Sequence, residues 1–410
     1  MTERSTPMED AKRSGRPIED EGNELLVLQS TPFCNIDCDY CYLPDRSDTS
    51  RMSLETVRRA AEFVGGMTAS GGVYSVVWHA GEPLVVPPSW YEQAHGVLSE
   101  VLGASRLVFH FQTNATLVSE AWTRFLGADP RIRVGVSLDG PADLHDARRK
   151  TRSGRGTHAR AMKGVEALRA AGVPFHCIAV VTRATLERPD DFYDFFTEVG
   201  PSYLGLNIEE LEGANRTTSL IGKVVEGRLR RFMRRLSELW LRDPRFEIRE
   251  LAWFRFLLAS PEEAASIAAR GAQDAVPGKI LSVDWKGRLH TFSPEMLGID
   301  IPGVGGSLGS VHGDTWDTIR ASQRFAGLAR EIQAGVERCR AECAYFRYCG
   351  GGTASNKWSE HRSFDVAETM YCRLALKASL DAYVAAVEEV GTTGVEPASQ
   401  RGCKPVRSTR

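Results

Sequence analysis

The sequence contains no apolar run near the roughly 20 residues that a membrane-spanning helix needs, so no spanning helix is expected. It has no excess of charge of either sign. The formal net charge is −2, which gives no footing for general nucleic-acid or membrane-surface binding. It has no export signal, because residues 1–22 are polar and charged without an apolar stretch; they read as a disordered lead-in. Nine cysteines in such a chain are not expected to pair as disulfides, and the expected location is cytoplasmic. Hydrophobic content of 42% and charged content of 25% are those of an ordinary globular protein. A length of 410 residues allows two to three domain-sized units, or one large barrel with additions.

What is present is a grouping of cysteines. Cys34, Cys38 and Cys41 stand in the run Cys34-Asn35-Ile36-Asp37-Cys38-Asp39-Tyr40-Cys41, and Cys339, Cys343, Cys349 and Cys372 stand near the end. Cys177 lies in a Val/Ile-rich strand pattern and reads as a small core residue; Cys403 lies in a Gly/Pro/Ser/Arg-containing tail. Three closely spaced thiolates can ligate three irons of a [4Fe-4S] cubane and leave the fourth iron open. A zinc knuckle is the alternative, but zinc wants a nearby fourth ligand, and the next histidine is His79. For the four later cysteines, spacing alone leaves a zinc site and a second cluster both open.

From Leu25 to Ile208 strand and helix patterns alternate. The strands are expected at Leu25–Gln29, Val73–Trp78, Arg106–Phe111, Ile132–Leu138, Phe175–Thr182 and Tyr203–Ile208. Their nearly continuous Val, Ile, Phe and Leu suit a parallel sheet covered on both faces. Six β/α units make an α/β fold, a full or partial barrel with its chemistry at the C-terminal strand ends. The first three cysteines lie just past the first strand. Ser53 is placed to cap a helix, with Met52 and Val57 as a staple. An amphipathic helix at Val224–Leu241 carries an arginine face, either solvated or able to grip an acidic peptide. A helix at Glu262–Arg270, a hairpin around Ile280–Asp284 and Arg288–Phe292, and a helix near Leu374–Val390 complete the pattern.

The strand ends carry Trp78-His79-Ala80-Gly81-Glu82-Pro83, Phe111-Gln112-Thr113-Asn114 and Ser137-Leu138-Asp139-Gly140-Pro141, followed by His145-Asp146-Ala147-Arg148-Arg149. With the C-x3-C-x2-C spacing and Tyr40 before the third cysteine, these motifs resemble the radical S-adenosylmethionine (SAM) enzymes. Gly81, Glu82 and Pro83 match the motif that holds the SAM amino group, with Ala80 in place of its first glycine, a change of one methyl. The resemblance nominates Ser137, Arg149, Asn114 and His79 as further SAM contacts. The later cysteines resemble a SPASM auxiliary-cluster domain, and the resemblance implies a second [4Fe-4S] cluster there. The expected hairpin lacks the cysteine such domains usually supply to a further cluster, so two clusters are expected rather than three.

Ser293-Pro294-Glu295 and Cys349-Gly350-Gly351-Gly352 with Asn356-Lys357 are similar to the GrrM branch of these maturases. That resemblance implies a cyclophane, a bond from an aromatic ring carbon to a side-chain β-carbon in a ribosomal precursor peptide. It also implies SAM, two clusters and an electron donor such as flavodoxin or ferredoxin. Thioether-forming and sulfatase-activating maturases, and a non-catalytic zinc-binding peptide-docking protein, are the alternatives. Glu209 and Glu210, just beyond the sixth strand, are candidates for a base by position, and an ion-pair role fits that position equally. The expected organisation is a lead-in (1–22), a barrel (23–213), a helical bridge (214–278), a SPASM-like domain (279–390) and a disordered tail (391–410).

Overall fold

The computed structural model describes residues 24–67 and 72–392. Expectations for the lead-in, for Cys403 and for residues 393–410 of the tail lie outside them. Among the described residues the strands are β1 (Glu24–Leu28), β2 (Ile36–Cys38), β3 (Tyr74–Trp78), β4 (Leu107–Thr113), β5 (Ile132–Ser137), β6 (Arg149–Thr151), β7 (Phe175–Val181), β8 (Tyr203–Ile208), β9 (Glu247–Ile248), β10 (Ile280–Val283), β11 (Arg288–Thr291) and β12 (Gly309–Ser310). All but β2 and β6 form one sheet in the order β12-β11-β10-β1-β3-β4-β5-β7-β8-β9. Its centre is the six expected strands, all parallel. The sheet does not close, so the barrel is partial. The hairpin strand β10 pairs in parallel with β1, Leu25 opposite Ile280, and therefore extends this sheet.

One face of the sheet is sealed. Trp78, Phe109 and Phe111 are buried on it and packed by Tyr91, His95 and Trp122 from helices Pro88–Leu102 and Glu120–Ala128. Each such side chain contributes roughly 1.5–3 kcal/mol. The other face is half open at Ser75, Val77, His110, Gln112, Ser137, Ile178 and Asn207. The expectation of cover on both faces is thus corrected. Valines and isoleucines on the open face hide an alternation that the burial pattern makes plain.

Ser53 caps helix Leu54–Gly65 by accepting from the Thr56 amide, and Met52 and Val57 are both buried. The arginine-rich helix is Val225–Arg242. Its Arg228, Arg230, Arg234 and Arg235 pair with Glu187, Asp381, Glu389 and Asp190, so these arginines are engaged within the chain. Helices Arg249–Ala259 and Gln323–Glu342 were not expected. The C-terminal helix is Ser379–Thr392, preceded by a π-helical stretch Cys372–Ala378.

Candidate active site

The first cysteine set is held by a small two-stranded sheet. β2 pairs with β6 so that Cys38 lies opposite Arg149. The Arg149 guanidinium sits 3.9 Å from the Cys38 sulfur and is clamped by Asp139 through two bonds of 2.9 and 3.0 Å. Asp139 also accepts from the Val180 amide at 2.9 Å and from the Tyr40 hydroxyl. Arg148 and Arg149 both lie over the Tyr40 ring, 5.5 and 5.4 Å from its centre. From the other side Asn114 Nδ2 stands 3.9 Å from the Cys34 sulfur and donates to Asn35 at 2.9 Å.

Burial pushes the Cys34 and Cys38 thiols up to about 12, and raises Cys41 in the same way. Cys38 and Cys41 lie close enough to add to the shift at Cys34. Left to the protein alone, these sulfurs keep their protons; a bound metal group inverts that preference. Among the described residues no three Cys, His, Asp or Glu side chains converge on the point a single metal ion would occupy. An iron–sulfur cubane does not ask for that, because each thiolate binds a different iron. The donor set therefore fits a cluster.

Gly81 and Glu82 shape the floor beside the set. Gly81 has φ +142°, and a Cβ there would lie 2.1 Å from the Thr31 carbonyl oxygen, so only glycine fits. Ala80 has φ +64°. Replacing glycine there is more than one added methyl, because an L-residue in the left-handed region costs roughly 1–2 kcal/mol. Glu82 is 2% exposed. Its carboxylate accepts from Thr113 Oγ1 at 2.6 Å, the Asn114 amide at 2.9 Å and the Leu84 amide at 3.0 Å. Burial nevertheless raises it to about 7. The Pro83 carbonyl accepts from Tyr91 at 2.8 Å, and Ser137 Oγ from Gln112 at 2.8 Å. Burial lowers the His79 imidazole to about 4, and its Nδ1 is buried without a partner. Asn114 and Arg149 thus reach the sulfurs, Glu82 ties the end of β3 to the end of β4, and Ser137 opens onto the half-exposed face.

Cys339 lies in the last turn of helix Gln323–Glu342, Cys343 caps it, Cys349 ends helix Phe346–Cys349 and Cys372 opens the π-helical stretch. Burial raises the Cys349 thiol to about 11, with Cys339 and Cys343 near enough to add to it. Cys339 is raised by burial and also feels Cys372 and Cys343, so the four thiols form one group. Lys357, 4% exposed, points its ammonium at the Cys339 sulfur across 3.3 Å. Gly350 and Gly351 are required: a Cβ on either would lie 2.8–2.9 Å from Ala272 or Val336. Four thiols with a buried cation suit an anionic, fully cysteine-ligated cluster. Cys177 is buried in β7 on the sealed face.

The family model described as Radical SAM superfamily matches residues 28–196, from the end of β1 past the first cysteine set. The chain belongs to the radical SAM superfamily. An uncharacterized protein of Synechocystis sp. is 35% identical to this enzyme over 372 residues, covering 89% of this chain and 92% of that one. A serine-type anaerobic sulfatase-maturating enzyme of Bacteroides thetaiotaomicron is 32% identical over 187 residues, 44% of each chain. The radical SAM enzyme described here thus matches under half the length of that relative. Among solved structures, native anSMEcpe with bound AdoMet and Cp18Cys peptide superimposes with a TM-score of 0.70 at 21% identity, over 90% of this chain and 99% of that one. Streptococcus suis SuiB bound to precursor peptide SuiA gives 0.60 at 16% identity, over 85% and 76%. At those identities the likeness is one of fold, a partial radical SAM barrel.

The two candidate bases of this radical SAM enzyme have different surroundings. Glu209 is 1% exposed and committed to Arg148 and to the Ser219 amide and hydroxyl. Glu210 instead meets Glu212 and Asn356. Glu212, Ser293, Glu295 and Ser355 join it in a group that sequence reasoning did not assemble. Ser293 and Glu295 stood in a motif noted for its resemblance; nothing local marked Glu212.

Proposed function

We propose that this radical SAM enzyme is a peptide maturase that forms a cyclophane in a ribosomal precursor peptide, joining an aromatic ring carbon to a side-chain β-carbon. The observation that carries this reading is the first turn of helix Ala354–His361. Ser355 and Asn356 reach Glu212 and Glu210, while Lys357 reaches Cys339. Asn356 and Lys357 belong to the motif similar to the GrrM branch, and that motif stands between the carboxyls and the second cysteine set. Residues 23–213 would form the radical-generating unit and 279–390 the auxiliary unit.

Cys34, Cys38 and Cys41 would hold the SAM-binding cluster, and Cys339, Cys343, Cys349 and Cys372 the second. Asn114, Ser137, Arg149, His79 and the Gly81–Pro83 turn would hold SAM. Bound there, the cluster and SAM supply a 5′-deoxyadenosyl radical that removes a substrate hydrogen atom. The half-open face of the sheet orients the peptide, and the buried floor keeps water away from it. Arg149, fixed by Asp139, keeps Cys38 in place. Ring closure takes two hydrogens from the peptide, one as an atom and the other as a proton and an electron, so a proton acceptor is required. A flavodoxin- or ferredoxin-type donor would provide the reducing electron. Among the described residues no helix is long and apolar enough to cross a membrane.

A second reading, formylglycine formation, is favoured by the relatives named sulfatase-maturating enzymes. Co-expression with the short open reading frames encoded beside this one, followed by peptide mass spectrometry, separates the two. The cyclophane reading expects a loss of two hydrogens, no fragmentation between the joined residues and unchanged cysteine alkylation. A formylglycine or a thioether would overturn it and leave the radical chemistry standing.

A further inference from the structure

Three carboxyls of this enzyme stand in one hydrogen-bonded chain. Ser355 Oγ donates to Glu212, and Ser293 Oγ, 3.1 Å from the Ser355 hydroxyl and also in reach of Glu295, has one hydrogen that it can give to either. Glu212 is within hydrogen-bonding reach of Glu210, whose other neighbour is Asn356 Nδ2 at 2.5 Å. Among the described residues none of the three forms an ion pair with a lysine or arginine, unlike Glu209. Two carboxyls bonded to each other must share a proton, since an ionised carboxylate only accepts. Every link of the chain is an oxygen that can both give and take a proton, or a carboxylate that can take one.

The segment that carries Glu210 and Glu212 is tied to the first cysteine set. The Ala214 amide donates to the Tyr42 carbonyl at 2.7 Å, and a Cβ on Gly213 would fall 2.4 Å from that same oxygen. The segment after β8 is therefore strapped to the residue that follows Cys41. Two polar atoms here lack partners. Asn356 is 1% exposed, and its Oδ1, on the amide that donates to Glu210, has none; nor does the buried Tyr42 hydroxyl. Glu210 and Glu295 keep some exposure, whereas Glu212 between them is 5% exposed.

We infer that Glu210 takes the proton that the substrate radical gives up, and that Glu212, Ser355, Ser293 and Glu295 carry it onward. This deepens the maturase reading and rests on it. In the ring-closure step the ring C–H bond breaks and its proton forms an O–H bond on Glu210. The bond's electron pair returns to the ring, and the unpaired electron passes to a one-electron acceptor of the iron–sulfur class. Formylglycine formation also releases one proton and one electron, so the same acceptor serves either product. Burial raises Glu210 to about 8, which suits a base working near neutrality. Glu212, Glu295 and Glu360 act on it electrostatically, Tyr42 and Tyr371 lie within range of it, Asp274 acts on Glu212, and Arg249 acts on Tyr371.

Glu210→Gln tests this with the neighbour-encoded peptide that the unaltered enzyme processes. The amide keeps the size of the carboxyl and its reach to Asn356 and Glu212, and Glu212, held well above its ordinary value, keeps the shared proton that leaves Glu210 able to accept, so the fold is expected to tolerate the change. The readout is 5′-deoxyadenosine released per peptide closed, expected to rise about 100-fold, the scale of one general base. Ser355→Ala, which interrupts the chain but keeps Glu210, should give a rise of about tenfold and move the acid limb of the pH profile for closure. Infrared spectroscopy on the unaltered protein alone should show a protonated-carboxyl C=O band at neutral pH that shifts in D2O and weakens in Glu210→Gln and Glu212→Gln. An unchanged ratio in Glu210→Gln, or no such band, overturns the inference. An unaltered enzyme that cleaves SAM but changes no peptide overturns the maturase reading instead.

Discussion

Neutralising Asp139 should unfasten the first cysteine set from beneath. Asp139 is 2% exposed and Arg149 7%, and they share two charge-assisted bonds of 2.9 and 3.0 Å. Asp139→Asn removes the charge and turns an amide N–H toward a guanidinium that only donates. Removing one partner of a buried pair costs about 3–5 kcal/mol, because the other charge stays buried without compensation. Glu120→Gln is the control: its pair with Arg124 is exposed and worth about 0–1 kcal/mol. Denaturant unfolding of the metal-free proteins should show a deficit several times larger for Asp139→Asn. Burial alone would raise the Asp139 carboxyl, yet Arg149 holds it below its ordinary value. The pair's contribution is therefore present above the unfolded-chain value of about 3.9 and is lost as pH falls through the folded value. The deficit should shrink in acid. Iron retained after anaerobic reconstitution should fall too, since Cys38 is aligned through Arg149. A stability within about 1 kcal/mol of the unaltered protein, or a large deficit with full iron and full SAM cleavage, would refute this account of how the set is held.

Replacing Cys34, Cys38 and Cys41 together with alanine should lower iron from about eight to about four per chain and abolish reductive SAM cleavage; persistence of cleavage would remove these residues from the chemistry. Lys357→Met should lower the midpoint potential of the second cluster in an EPR-monitored titration, because a cation beside Cys339 favours the more negative, reduced state. At roughly 5–8 Å and an effective dielectric near 20 the charge is worth about 2–3 kcal/mol, or roughly 100 mV for one electron; an unmoved potential would show that the ammonium does not act on that centre. Glu210→Gln should also flatten the pH dependence of thermal stability. Burial raises Glu210 from its ordinary 4.5 to about 8, so its contribution is complete below 4.5 and is lost as pH rises toward 8. A melting temperature that falls equally in both proteins over that range would count against the raised value.

The parts of the fold that were legible are those whose signal is local. The six central strands could be placed because each is a compact β-branched and aromatic run between turn residues. Their cover was misread because Val77, Ile178 and Val180 face the half-open side. Helix Gln323–Glu342 carries Phe325, Leu328, Ile332, Val336 and Cys339 at helical spacing, yet the cysteines drew the reading toward a metal segment. Arg149 could be named from the sequence, but its partner could not. Asp139, Asp143 and Asp146 all lie within ten residues of Arg149, and nothing local says that Asp139 is the one to take its Nε and Nη2.

The carboxyl chain was illegible for a sharper reason. Its members come from the segment after β8, the segment after β11 and helix Ala354–His361, and no two of those segments are adjacent in sequence. Glu209 and Glu210 looked equivalent because both follow the sixth central strand. Consecutive residues leaving an extended strand point to opposite sides, and here that sends Glu209 to Arg148 and Glu210 to Asn356. The same geometry works on the helix, where successive side chains diverge by about 100°. Ser355 and Asn356 can then face the carboxyls while Lys357 faces Cys339, all from one rigid turn. On the maturase reading proposed above, a proton and an electron leaving the same substrate would have separate exits fixed to a common piece of backbone. That separation would be set by helix geometry, and the two transfers would need no movement between them.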